Sequence, residues 1–268
     1  MKITMATIGR LLVVGLLVTA SSGAVFAGAE FSGEMLRHGP QGKRSSEKMF
    51  MGDKRVRTEA THQGRQIIRI TDADRGVAWI LFPDRKKYGE QKLGGPGDKL
   101  PGARATPAEN PCNGLPGMTC RRLGEEEISG QTAVKWEMVA SHQGQTMQST
   151  QWIDKERGTP LRQEMPGGQI IEHKFIAMEN LDGRRVEKWE MVATMPNQPE
   201  IRTFQWFDPE LEITVRRELP GVMISELKNI RVGKQPGELF TIPADYERMT
   251  TPAGMPEGPP GRTIDRRP

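Results

Sequence analysis

Residues with the chemistry to react, ligate or transfer are few in this 268-residue chain, and their spacing is unhelpful to catalysis. The four histidines, His38, His62, His142 and His173, are scattered, and none sits at metal-ligand spacing from another. His62 and His142 each open a His-Gln-Gly turn, while His173 alternates with Ile171 and Phe175 and so could face inward on a strand. No G-x-S-x-G, H-E-x-x-H, phosphate-binding loop or dinucleotide fingerprint occurs. The reading is a protein that is not an enzyme, with no cofactor and no metal. Two cysteines, Cys112 and Cys120, enclose seven residues that include Asn113-Gly114 and Pro116-Gly117. In an oxidising compartment this spacing predicts a local disulfide, since the turn residues close so small a ring. Thirteen methionines follow residue 27. Met49-x-Met51 has the soft thioethers that Cu(I) takes, a Met-rich face suits varied acyl chains, and plain gap filling is the third possibility.

The elements that would position such residues come from a repeat. Lys-Trp-Glu-Met-Val-Ala occurs at 135–140 and again at 188–193, an offset of 53. Gln151-Trp152 returns as Gln205-Trp206, and Glu164-Met165-Pro166-Gly167 as Glu218-Leu219-Pro220-Gly221, at an offset of 54. In the first copy Val134, Trp136, Met138 and Ala140 alternate with Lys135 and Glu137, so a strand is expected with Trp and Met on one face and the charges in water. Turn residues then divide each copy into four strands of an antiparallel meander. Residues 31–92 repeat the habit more faintly: short strands between Gly39-Pro40, Gly52-Asp53, His62-Gln63-Gly64 and Asp72–Arg75. The fold class expected is mainly β, a curved antiparallel sheet of hairpin units forming a half-open barrel with few or no helices. Trp79, Trp136, Met138, Trp152, Trp189, Met191 and Trp206 are the candidate groove residues. Each indole N–H needs a partner, which argues against burying all five tryptophans in a dry core; simple sheet packing is the alternative.

Lys2 and Arg10, an apolar run from Leu11, and Val25-Phe26-Ala27 read as a secretory leader over residues 1–27, cleaved after Ala27. Its apolar run is too short to span a bilayer, so a periplasmic, non-membrane-spanning protein is expected. The formal net charge of +4 falls to +2 without Lys2 and Arg10. The remaining charges are interspersed, which excludes a nucleic-acid stripe. Residues 28–249 should form one domain. Within it, 93–120 is a Pro/Gly-rich loop ending in the disulfide, either a lid or a spacer, and 250–268 is a Pro/Gly-rich tail without a core.

Trp152-Ile153-Asp154 with Thr159-Pro160-Leu161-Arg162 resembles the W-x-D…P-L-R strand-turn-strand of LolA-like periplasmic proteins. Leu239-Phe240-Thr241-Ile242-Pro243-Ala244-Asp245-Tyr246 is similar to their L-F-x-I-P-x-x-Y closure, and Trp79-Ile80-Leu81-Phe82-Pro83 to another of their passages. The resemblance covers most of residues 31–249. It implies a half-open barrel whose concave apolar face holds acyl chains or a lipidated partner, with lid helices and a cavity arginine. No lid helix is visible in this sequence, and none of its arginines is marked out as the equivalent. The function expected is a soluble periplasmic carrier for a lipid, a lipidated protein or another amphiphile. The alternative is an envelope scaffold that docks partner proteins through sheet edges or loops.

Overall fold

The structure, a computed structural model, describes residues 29–93, 110–112, 117–142 and 145–249. The expected leader and tail, and most of the Pro/Gly-rich stretch, lie outside those residues. The first block supplies β1 (Phe31–His38), β2 (Arg44–Gly52), β3 (Arg55–His62), β4 (Arg65–Asp72), β5 (Val77–Phe82) and β6 (Lys87–Lys92). Next comes β7 (Met118–Ile128), which begins inside the stretch expected to be loop. The first repeat copy is β8 (Gln131–His142), β9 (Gln145–Asp154), β10 (Pro160–Glu164) and β11 (Ile170–Leu181). The second is β12 (Arg184–Thr194), β13 (Ile201–Asp208), β14 (Ile213–Leu219) and β15 (Met223–Val232). Both copies have the four strands that the turn residues predict. Among the described residues there is no α-helix, only 3-10 turns at Pro40–Gly42, Pro83–Arg85 and Gly237–Phe240.

All of these strands, with the short β16 (Glu247–Arg248), belong to one curved, unclosed sheet. Its order is 16-6-5-4-3-2-1-15-14-13-12-11-10-9-8-7, so consecutive strands are neighbours everywhere except at two places. One is the seam where β1 pairs antiparallel with β15; the other is the parallel pairing of β16 with β6. The hairpins that open the two copies turn at Ser129-Gly130 and Asp182-Gly183, and both residues of each pair have positive φ. That is the backbone of a type I′ turn, whose twist suits adjoining strands, and glycine takes its second position without a steric cost.

The bends repeat as well. Extra residues interrupt the ladders at Leu123 on β7, Leu161 on β10, Ile176 on β11 and Val215 on β14, as well as beside Asn229 on β15. Leu161 and Val215 are 54 apart, and Leu123 and Ile176 are 53 apart. A bulge increases local twist, so a repeated bulge curls the sheet at repeated places. Three buried aspartates close strand ends in the same way. Asp72 Oδ1 accepts the Arg75 amide, Asp154 Oδ1 those of Glu156 and Arg157, and Asp208 Oδ1 those of Glu210 and Leu211.

Behind Gly237–Phe240, the closing segment lies over the first block. Phe240 is buried against Ile68, Ile70, Trp79 and Leu81. The Arg57 guanidinium donates to the Leu239 carbonyl at 2.9 Å, and Arg55 stacks on the Phe240 ring. Gly52 lies beneath that ring, where an added Cβ would come within 2.8 Å of it.

Candidate functional site

Directly opposed residues of an antiparallel pair point to the same side of a sheet, so the register carries a face from strand to strand. Trp136 stands opposite Gln151, Gln151 opposite Gln163, and Gln163 opposite Ile171. Two residues on in β11, His173 opposes Met191, and two further Phe175 opposes Trp189. From Trp189 the row continues through Gln205, Arg217 and Ser225 to Arg37. We call this side face A. Trp152, opposite Lys135 and Arg162, and Trp206, opposite Lys188 and Arg216, point to the other side, face B. Trp79 joins them there through Ile70, Arg57 and Phe50. The seven candidate groove residues are therefore split: Trp136, Met138, Trp189 and Met191 on face A, and Trp79, Trp152 and Trp206 on face B.

Face B carries one cluster twice. The Trp152 indole N–H donates to Glu126 at 2.7 Å, and Lys135 donates to the same carboxylate at 2.8 Å. Lys135 and Arg162 sit on the Trp152 ring at 4.8 and 5.5 Å from its centroid. Arg162 in turn pairs with Glu164 and Glu172. In the second copy Trp206 and Lys188 donate to Glu179 at 2.6 and 2.9 Å. Lys188 and Arg216 lie on the Trp206 ring at 5.0 and 4.9 Å, and Arg216 pairs with Glu218 and Glu226. Hydrogen bonds from Lys135 and then Trp152 hold the Glu126 carboxyl below its usual pKa, as those from Trp206 and then Lys188 do for Glu179. Lys135, expected in water, instead lies along a tryptophan face, because its alkyl stem covers apolar surface while its ammonium meets a carboxylate. Four indole N–H groups thus find acidic partners, Trp79 with Glu90 and Trp189 with Glu187 included. All five tryptophans are buried.

On face A, self-packing covers the β7–β9 end. The expected disulfide joins Cys112 to Cys120 with Cα atoms 5.6 Å apart, and Cys112 packs with Trp136, Met138, Val134 and Ile153. Trp189 meets Phe175 edge to face, with ring centroids 5.5 Å apart. Between these aromatic groups the face is polar. Gln151, Gln163 and Thr203 are buried, and both Gln151 Nε2 and His173 Nε2 lack a hydrogen-bond partner among the described residues. Burial, and then the positive charge of Arg217, push the His173 pKa down to about 4. The imidazole is therefore neutral near pH 7.

The open part of face A lies at the seam. A cavity of 380 Å³ is walled by Met35 and Arg37 of β1, Met49 of β2, Arg217 with Ile213 and Thr214 of β14, and Met223 and Ser225 of β15. Neighbouring strands of one sheet can wall a cavity only where the sheet curls, so face A is the inside of the curve here. Of the two guanidinium groups, Arg37 is paired with Glu47 at 2.9 Å. Arg217 has no ion pair or hydrogen bond among the described residues. It is exposed by area, yet the surrounding protein desolvates it and holds its pKa below the usual arginine value. That combination describes a recess. The Ser225 hydroxyl donates to the Met35 sulfur at 3.0 Å, a weak acceptor that a better one could displace. None of the seven candidate groove residues is among those lining this cavity. No cluster of three or more His, Cys, Asp or Glu able to hold a metal ion is found among the described residues, and no helix there is long and apolar enough to cross a membrane.

A signal for the cavity was present in the sequence, in the difference between the two copies. At an offset of 54, Gln163, Gln169 and Ile171 are replaced by Arg217, Met223 and Ser225, the cavity residues.

No family model matches the chain, and no curated protein matches it. Among solved structures it is similar to a LolA superfamily protein from Nitrosomonas europaea, at 11% identity and a TM-score of 0.37, covering 84% of this chain and 94% of that one. A putative outer membrane lipoprotein-sorting protein domain from Vibrio parahaemolyticus matches at 12% identity and a TM-score of 0.29, over 79% and 89% of the two chains. The MucA/MucB complex of Pseudomonas aeruginosa matches at 13% and 0.21, over 79% and 96%. At these scores nothing about ligand or activity passes from them to this chain.

Proposed function

We propose that this is a periplasmic binding or carrier protein, exported by the leader at 1–27, that holds an amphiphile, either a lipid or a lipidated protein, on face A. It performs no catalysis in this reading. The observation that carries it is the cavity at the seam, where three methionines from three strands surround an open recess. Methionine is flexible and polarizable, so such a wall adapts to alkyl chains of differing shape. The volume falls in the range of small-molecule sites, and burial of alkyl surface supplies roughly 25 cal/mol per Å². The scaffold alternative is favoured by a groove filled with the protein's own side chains, which describes the Trp136 end of face A but not the seam. Its other requirement, a sheet edge free to pair, is poorly met by β7, which carries Arg121, Arg122 and Glu125–Glu127 around a bulge.

The test is to purify the chain from its native envelope and identify extracted lipids by mass spectrometry. An amphiphile in near-stoichiometric amount is expected from the wild type and is expected to be lost from Met223→Asp. Absence of any bound lipid, together with no uptake of a fluorescent fatty acid, would remove the carrier reading. A single dominant protein partner retained by Met223→Asp would put the scaffold in its place.

A further inference from the structure

Resting on the carrier reading, we infer that the ligand is a single-chain amphiphile whose carboxylate headgroup is held by Arg217, its alkyl chain lying along Met35, Met49 and Met223.

The charge balance of the cavity leads to this. Several other cations of the sheet have carboxylate partners: Arg37 has Glu47, Arg162 has Glu164 and Glu172, and Arg216 has Glu218 and Glu226. Arg217 alone among the cavity cations has none, although Arg216 beside it has two. A guanidinium with no partner of its own keeps its five N–H donors free for an anion that enters the recess. Its field is unscreened enough to be felt at His173, whose protonation it opposes. The planar fork of arginine matches a carboxylate with two parallel hydrogen bonds. Ser225 stands in the same wall with a hydroxyl engaged only by a thioether.

The same balance decides between ligand classes. Three thioethers would suit soft Cu(I), but a cation would sit beside an uncompensated guanidinium. A phosphate monoester carries about −1.5 to −2 charges near neutral pH, more than one free guanidinium neutralises. One positive charge matches one carboxylate. The volume, at the low end of small-molecule sites, fits one alkyl chain better than the two of a phospholipid.

Equilibrium binding of labelled hexadecanoate, hexadecyl phosphate and hexadecanol to the delipidated full chain tests this. Hexadecanoate should bind the wild type about tenfold more tightly than hexadecanol, the difference expected for a charge-assisted hydrogen-bonded pair, and more tightly than the phosphate. Arg217→Gln should bring acid and alcohol to the same affinity, and Arg217→Lys should keep part of the preference. Equal affinity of the wild type for acid and alcohol, or a preference untouched by Arg217→Gln, overturns the headgroup assignment and leaves the carrier reading standing. Tighter binding of the phosphate overturns the choice of carboxylate. Failure to bind any of the three removes the carrier reading itself. Should Arg217→Gln not fold, the acid-to-alcohol ratio of the wild type decides alone.

Discussion

The two copies of the four-strand unit agree on one face and disagree on the other. On face B, Glu126, Lys135, Trp152, Arg162, Glu164 and Glu172 return as Glu179, Lys188, Trp206, Arg216, Glu218 and Glu226, with the same hydrogen bonds and the same cations on the rings. On face A, Gln163, Ile171 and His173 give way to Arg217, Ser225 and Leu227. The first copy buries Gln163 and Ile171, whereas the second uses their counterparts to wall a cavity. A unit that keeps its outer cluster in both copies needs that cluster to stand as a sheet. The inner face is set by what each copy lies beside. Strand β11 passes to β12 of its own kind, but β15 meets β1, and there the sheet opens.

This contrast can be broken or sharpened by experiment. Trp152→Ala and Trp206→Ala should each cost about 3–5 kcal/mol in urea unfolding, and by similar amounts; a large cost in one copy and none in the other would end the equivalence of face B. Exchanging the copies' inner residues should be asymmetric. Gln163→Arg places a charge at a buried position and should destabilise by about 3 kcal/mol or more, while Arg217→Gln should stay within about 0.5 kcal/mol; equal costs would show that the two positions are alike.

The smallest effect at neutral pH is at His173. Its folded pKa of about 4 lies below the ordinary 6.5, so the unfolded chain binds more protons between those values. The stability that the neutral imidazole contributes is complete above pH 6.5 and is lost as pH falls toward 4, a change of about 3 kcal/mol. His173→Leu, which installs the second copy's residue, should leave stability at pH 7 little changed and remove this part of the acid sensitivity. A variant with the same pH slope as the wild type would mean that His173 is not the group responsible.

Much of this was legible in the chain. The repeat and its turn residues mark all eight strands of the two copies, because alternation and Gly or Pro corners are local signals. The strand β7 was not marked: it follows a Pro/Gly-rich stretch, and its Glu125–Glu127 run hides the alternation. The split of the tryptophans between faces follows from register, as Trp136 and Trp152 belong to neighbouring strands whose phase is set by their pairing. Lys135 looks solvated from the local pattern because its partner ring lies across on the neighbouring strand, out of reach of any short window. The cavity depends on β1 meeting β15, a pairing that no short window contains. Its residues stand out only when one copy is subtracted from the other.

That same pairing has a consequence for how the molecule comes into being. Every other antiparallel neighbour is a hairpin partner and can form from chain already at hand, whereas Met35 must find Ser225 across 190 residues. Joining ends so distant is entropically unfavourable until the intervening hairpins have shortened the path. Since an emerging chain folds from its N-terminus, β1 must wait with one edge exposed until β15 arrives. The recess at the seam is therefore completed only after the hairpins that lie between β1 and β15 in the chain. A chain cut short before β15 would retain most of its hairpins and lack the recess altogether.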